Sequence, residues 1–275
     1  MSRLTTSFAA ARASGRRVLV PFITAGDPDL ATTEKLIFAL EAAGADAIEL
    51  GIPFSDPLAD GPVIQLSNAR ALASGTTLRA ILDMVARIRG KVRVPLVLMG
   101  SINPIHAFGA ERFAQAASAA GIDGIIIPDL PIEDGEQTFR PLRAHDIDTV
   151  LLVAPTTKAA RLAEIGRRSR GFVYYVSLTG VTGERTKLRS DLPARIRTVQ
   201  RAVDRPVLVG FGISTPEQAA EVAAVADGVI VGSAVVRRVP GAGGARGACE
   251  RVASFVRELR AALDRVPAAT RRRAR

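Results

Sequence analysis

The chain of 275 residues and 29.0 kDa, 48% hydrophobic and 23% charged, has the balance of a globular protein with a large core, which excludes disorder throughout. One cysteine, Cys249, excludes an intrachain disulfide, and no stretch approaches the ~18 consecutive apolar residues of a membrane helix. The formal charge of +10 raises the question of nucleic acid, but much of the surplus sits at Arg265, Arg271, Arg272, Arg273 and Arg275, in a segment without apolar periodicity.

That pattern predicts one domain over 1–264 and a basic, solvated and disordered tail over 265–275. The opening residues MSRLTTSFAAARASGRR lack the apolar core of a signal peptide, so a reducing cytoplasm is the expected setting. Neither a membrane nor a nucleic acid is expected as partner.

From Val18 onward, β-branched runs alternate with Ala-rich helical stretches, the mark of repeated βα units and a parallel sheet. The first strand is predicted at Val18–Thr24 and its helix at Ala31–Ala43, followed by strands at Ala47–Gly51 and Pro95–Met99 around a helix at Thr77–Arg89. A helix at Glu111–Ala120 leads to a strand at Gly124–Pro128, and one at Glu133–His145 to a strand at Thr149–Ala154. Next come a helix at Ala159–Arg168, a strand at Phe172–Ser177 and a helix at Leu192–Ala202. Strands at Pro206–Gly210 and Gly228–Val231 flank a helix at Pro216–Ala226, and a last helix covers Ala248–Leu263. Gly44, Gly121 and Gly171 follow three of these helices as left-handed caps, and Thr215 before Pro216 reads as an N-cap. Eight strands in this alternation predict an α/β fold, a single parallel (β/α)8 barrel, with chemistry on the loops after each strand.

The second strand and its loop read AIELGIPFSDPLADGPVIQ. Alternation puts Ala47, Glu49 and Gly51 on one face and Ile48 and Leu50 on the other, so Glu49 points into the barrel mouth. A carboxylate is costly to bury there without a task or a partner. Asp60, in the same loop, could converge with it on one ligand as an acid/base pair. Asp56 is a third candidate, although Ser55-Asp56-Pro57 also reads as an ordinary turn.

Across the barrel the loops are glycine-rich: Gly180 to Gly183, Gly210 to Ser214, and Gly232 to Ala234. Glycines admit backbone N–H groups to an anion, and a short helix starting near Ser233 would aim its positive end at it, predicting a phosphate site. Other chemistries are disfavoured. Lys35, Lys91, Lys158 and Lys187 fall in helices or loops, so no lysine projects from a strand for a Schiff base. His106 and His145 are far apart and read as surface or capping residues, which implies no metal. No G-x-G-x-x-G follows a strand to hold a dinucleotide. Acid/base chemistry on a phosphorylated organic substrate remains.

The stretches PFITAGDP (21–28), IELGIPFSDPLADGPVIQ (48–65), PDLP (128–131), SLTGVTG (177–183), GFGIS (210–214) and GSAVV (232–236) resemble, in order, those of the tryptophan synthase alpha family. The resemblance spans about Phe8 to Arg238 and leaves the basic tail outside. It implies a lyase that cleaves indole-3-glycerol phosphate to indole and glyceraldehyde 3-phosphate. Glu49 would be the general acid/base, with a pKa raised by an apolar mouth, and Asp60 would face the indole nitrogen.

By the same resemblance Gly183, Gly212, Gly232 and Ser233 bind the substrate phosphate, Phe22, Tyr174, Phe211 and Ile230 line the indole pocket, and Thr182 sits on a loop that closes over substrate toward Asp60. The family works as an αββα heterotetramer that passes indole to a beta subunit, which carries the pyridoxal phosphate; no cofactor is expected on this chain. Pro53, Asp56, Pro57, Asn103, Pro104 and Asp129 match positions that face or communicate with that partner. Ser101 stands where the family usually has an aromatic residue, a departure that bears on local pocket packing or loop coupling. The rival of a sugar isomerase barrel would want acids at the ends of strands 1 and 5, and VPFIT and LLVAPT supply none.

Overall fold

A computed structural model describes residues 2–57, 60–176, 191–210 and 212–267. Its elements run α1 (Arg3–Ala13), β1 (Val18–Thr24), α2 (Leu30–Ala42), β2 (Ile48–Gly51), α3 (Pro62–Ala73), α4 (Leu78–Ile88), β3 (Leu96–Met99), α5 (Ile102–Phe108), α6 (Ala110–Ala120) and β4 (Gly124–Ile126). They continue α7 (Glu136–Ala144), β5 (Asp148–Val153), α8 (Ala159–Arg168), β6 (Val173–Val176), α9 (Leu192–Ala202), β7 (Val207–Gly210), α10 (Pro216–Ala223), β8 (Gly228–Val231), α11 (Ser233–Val236) and α12 (Gly244–Asp264). The strands pair in parallel in sequence order, and β1 pairs with β8 to close the barrel.

Two apolar layers follow from the strand period of two. Ile23, Leu50, Leu98 and Val209 pack outward under the helices, whereas Val20, Ala47, Val97, Val150, Phe172 and Leu208 fill the barrel interior. The sequence pattern did not place α1, and its role is at the foot of the barrel. Ser2 caps it by accepting the Thr5 amide, and Leu4, Phe8 and Ala11, three or four residues apart on one face, join the interior cluster as a plug. Burying Leu4 and Phe8 almost completely contributes about 1.5–3 kcal/mol each.

The foot also carries a repeated clasp. Asp46, Asp123 and Asp227 each stand just before an even-numbered strand. Each donates its backbone N–H to the carbonyl of Leu19, Leu96 or Val207 on the preceding odd-numbered strand. Its carboxylate then accepts the amide of that same residue, at 2.8, 2.9 and 2.8 Å. Before β6 the hydroxyl of Ser169 takes this part, accepting Leu151 N–H at 3.1 Å. Arg16 and Arg260 also reach the Asp46 carboxylate, as Arg3 and Arg89 reach that of Asp123.

Several predicted boundaries shift. α7 begins at Glu136 because Pro131 to Gly135 turn first, with Asp134 N–H bonded to Pro131 O. α10 ends at Ala223, and α12 starts four residues earlier than expected, at Gly244. Gly44 and Gly121 are left-handed after their helices, but α8 ends on an extended Ser169 and Gly171 takes its positive φ of 71° two residues later. Thr215 caps α10 through the Gln218 amide, as expected. At the end of the chain Val266 packs on the core and the Pro267 carbonyl accepts Arg17 Nη2 at 3.1 Å, so the packed structure runs past the expected boundary at 264. The tail beyond Pro267 lies outside the described residues.

Candidate active site

Glu49 lies on β2 in register with Phe22 of β1 and Val97 of β3, its side chain on the interior face as alternation requires. It is 1% exposed, and among the described residues its Oε2 has no hydrogen-bond partner. Burial pushes its carboxyl up to about 8, and the neighbouring charge of Asp60 pushes the same way. A carboxyl in this state holds a proton near neutrality and can release it to a reacting group.

Asp60 is half-buried where the β2 loop runs into α3. Its pKa is raised by burial and held back by the side chain of Asn68, whose Nδ2 donates to Oδ2 at 3.2 Å. Gln65 Nε2 donates to the Asp60 carbonyl at 2.8 Å, and Asp60 N–H donates to Pro57 O at 3.0 Å. Asp56, by contrast, is exposed and, among the described residues, accepts only a long 3.5 Å bond from Ser55 Oγ. The carboxylate coupled to Glu49 is therefore Asp60.

Phe22, Tyr174 and Ile230 share the interior face with Glu49 and are nearly closed to solvent. Two glycines make room for the rings. A methyl group on Gly51 would lie 2.5 Å from the Phe22 ring, and one on Gly210 would lie 2.3 Å from the Tyr174 hydroxyl, so both positions exclude a side chain. Burial, and then the charge of Glu49, raise the Tyr174 pKa well above the usual range, so this phenol stays neutral beside the carboxyl.

The phosphate candidates lie on adjoining loops. β7 ends at Gly210 and β8 at Val231, and the two strands pair side by side, so Gly212 and Gly232 follow the ends of neighbouring strands. Gly212 is left-handed, at φ 81°, with open space where a Cβ would stand. Gly232 caps the short helix α11, whose first residue, Ser233, leaves its amide at the helix start. Thr182, Gly183 and Phe211, expected on the lid, in the phosphate loop and in the pocket, lie outside the described residues.

Of the expected partner-facing residues, Asp56 and Asn103 are exposed, Pro57 and Pro104 are half-buried, and Pro53 is buried within the chain. Asp129 is exposed but engaged, accepting the Ser101 hydroxyl and the Ile102 amide (2.9 Å) at the start of α5. His106 is exposed, and His145 caps α7 and pairs with Glu111 at 3.4 Å; among the described residues no cluster could hold a metal ion. No described helix is long and apolar enough to cross a membrane.

Sequence reasoning missed Asn68 and Gln65, which hold Asp60, because α3 was not placed. The available signal was Gly61-Pro62, a helix start, followed by polar residues at positions the helix buries, Ser67 and Asn68.

Comparison with known proteins bears on this geometry directly. The family model described as tryptophan synthase alpha chain matches residues 8–264. The chain belongs to the tryptophan synthase alpha chain family. The tryptophan synthase alpha chain of Citrifermentans bemidjiense is 56% identical over 237 residues, 86% of this chain and 89% of that protein. That of Geobacter sulfurreducens is 52% identical over 263 residues, covering 96% and 99%. Among solved structures, the tryptophan synthase alpha chain of Legionella pneumophila superposes with a TM-score of 0.89 at 37% identity, covering 98% of this chain and 100% of that one. A chain of tryptophan synthase from M. tuberculosis, in an aminoacrylate-bound form, gives 0.84 at 35% identity over 96% and 100%. Membership in the tryptophan synthase alpha chain family implies a beta-subunit partner.

Proposed function

We propose that this member of the tryptophan synthase alpha chain family cleaves indole-3-glycerol phosphate to indole and glyceraldehyde 3-phosphate, with Glu49 as general acid/base and Asp60 at the indole nitrogen. The observation that carries the reading is Glu49: a wholly buried carboxyl with one oxygen unpartnered among the described residues, protonated near neutrality, in the mouth of the barrel beside a second carboxylate. Indole is a poor carbon leaving group until its C3 is protonated. Glu49 delivers that proton, and the resulting indolenine-like cation draws the electrons of the breaking C–C bond. Loss of the proton from the C3′ hydroxyl to the Glu49 carboxylate forms the aldehyde carbonyl and restores the acid. Asp60, as a carboxylate, stabilises the positive charge that C3 protonation places on the N1 side of the ring.

The aromatic ring fits the apolar layer of Phe22, Tyr174 and Ile230, and the phosphate fits the turns at Gly212 and at Gly232 with Ser233, joined by Gly183. Thr182 would reach Asp60 when its loop closes. The exposed Asp56 and Asn103, with Pro57, Pro104 and Asp129, follow strands β2, β3 and β4 at the same end of the barrel as Glu49 and support the docking of a beta subunit there in an αββα complex, with Pro53 buried behind them. Pyridoxal phosphate would belong to that partner.

The test is incubation of the purified chain with indole-3-glycerol phosphate, with and without a tryptophan synthase beta chain, following indole. Indole should form slowly with the chain alone and faster with the partner. Absence of indole in both arms would refute the reading.

A further inference from the structure

Asp60 is a weakly anchored carboxylate by its own connections, since it sits in a loop that enters α3 through Gly61 and Pro62. What fixes it comes from the helix. Gln65 is exposed and takes only the Asp60 backbone carbonyl, whereas Asn68, 5% exposed, takes the carboxylate itself. α3 is in turn pinned to the first βα segment on its far side. Arg70 forks onto Asp27 through Nε and Nη2 at 2.7 and 2.6 Å, and Asp27 is 2% exposed. Ser67 Oγ meets Thr24 Oγ1 at 2.6 Å, and Ser74 Oγ donates to Gly26 O at 3.2 Å. Asn68 thus stands on a braced surface and points its amide at Asp60 Oδ2.

We propose that Asn68 is a positioning residue for the cleavage reaction, holding the Asp60 carboxylate in place beside Glu49 from a helix locked to the β1 loop. The proposal rests on the reading of Asp60 given above. It has a physical motive beyond distance: burial favours the neutral form of Asp60, and the Asn68 amide, a donor that cannot itself ionise, is the influence that opposes it. Among the described residues Glu49 Oε2 receives no such donor, so of the two carboxyls it is Asp60 whose charged form a neighbouring amide favours.

The experiment measures steady-state indole formation by the chain together with a tryptophan synthase beta chain, for Asn68→Ala, Asp60→Asn and the double variant. Asn68→Ala should lower kcat about tenfold or more while KM for indole-3-glycerol phosphate moves less than about threefold, because substrate is anchored elsewhere. In the Asp60→Asn background the same substitution should cost less than about twofold further, since its target is gone. Losses that add, or a rise in KM matching the fall in kcat, would make Asn68 scaffolding and overturn the proposal. If Asp60→Asn alone turns over normally, the role of Asp60 fails and takes the proposal with it, an outcome separable from the first by that single variant. Should Asn68→Ala not fold, Asn68→Leu stays close to the shape and removes the donor; a rate within about threefold of the parent would equally overturn the assignment.

Discussion

The two ends of the barrel both bury carboxylates, and they treat them in opposite ways. At the foot, burial pushes Asp46 and Asp123 upward, but a strand amide and two arginines pull each of them back. Asp148 is likewise raised by burial and restrained by the hydroxyls of Ser2 and Thr5. At the mouth, Glu49 meets burial and then a like charge, with no donor on its Oε2 among the described residues. A buried acid with its bonding capacity filled is mortar; one left short is held ready to exchange a proton.

The contrast breaks first at Glu49. Glu49→Gln should cut cleavage by about 10²–10⁴-fold while leaving substrate binding intact, read from indole formation and from binding of a non-cleavable analogue. It should also raise stability, with a definite pH dependence. The folded carboxyl lies near 8 and the unfolded one near 4.5, so the folded parent binds the proton more tightly. Its stability falls relative to the Gln variant as pH rises through that window, with no difference below it and the full difference above. The gain should be roughly 1 kcal/mol or more. Thermal unfolding of both chains near the two ends of the window measures it, and a Gln variant less stable than its parent at the alkaline end would place Glu49 with the carboxylates of the foot.

Asp46→Asn should give the mirror image: a loss of about 1.5–3 kcal/mol in denaturant unfolding with unchanged turnover of the folded fraction, because the Leu19 amide and the nearly buried Arg260 lose a charged acceptor. Arg16 adds little to this, being 41% exposed. The smallest effect is expected from ending the chain at Pro267, which should move Tm by less than about 1 °C and leave indole formation unchanged, since residues 268–275 carry no apolar pattern.

The same contrast explains what the sequence made legible. Strands announce themselves because both faces are apolar, and Val18–Thr24 and Gly228–Val231 have the predicted bounds. Glu49 stands out because charge interrupts such a run, whereas Asp60 shares its loop with Asp56 and is set apart from it less sharply by pattern. α3 did not announce itself because its pattern is inverted: Leu66 and Leu72 face solvent at 61% and 39% exposure while Ser67 and Asn68 are buried toward the site. A helix that turns polar groups inward to serve a carboxylate loses the apolar stripe by which helices are recognised. α1 was passed over for another reason, since its buried residues are just Leu4, Phe8 and Ala11 among eleven. The pairing of Asp60 with Asn68 lies one level deeper, in a turn geometry that no spacing rule specifies.

The clasps at the foot bear on the order in which the barrel assembles. They join residues only 27, 27, 18 and 20 positions apart, each linking an odd-numbered strand to the next even one, so loop closure costs them little. The β1–β8 seam joins Val18 to Gly228, from opposite ends of the barrel sequence. Four hairpin-like βαβ quarters should therefore gain native pairing early, with the seam sealing last. In pulsed hydrogen exchange during refolding, the amides of Leu19, Leu96, Leu151 and Val207 should become protected before those that cross the seam, and simultaneous protection would show a barrel that closes in one step.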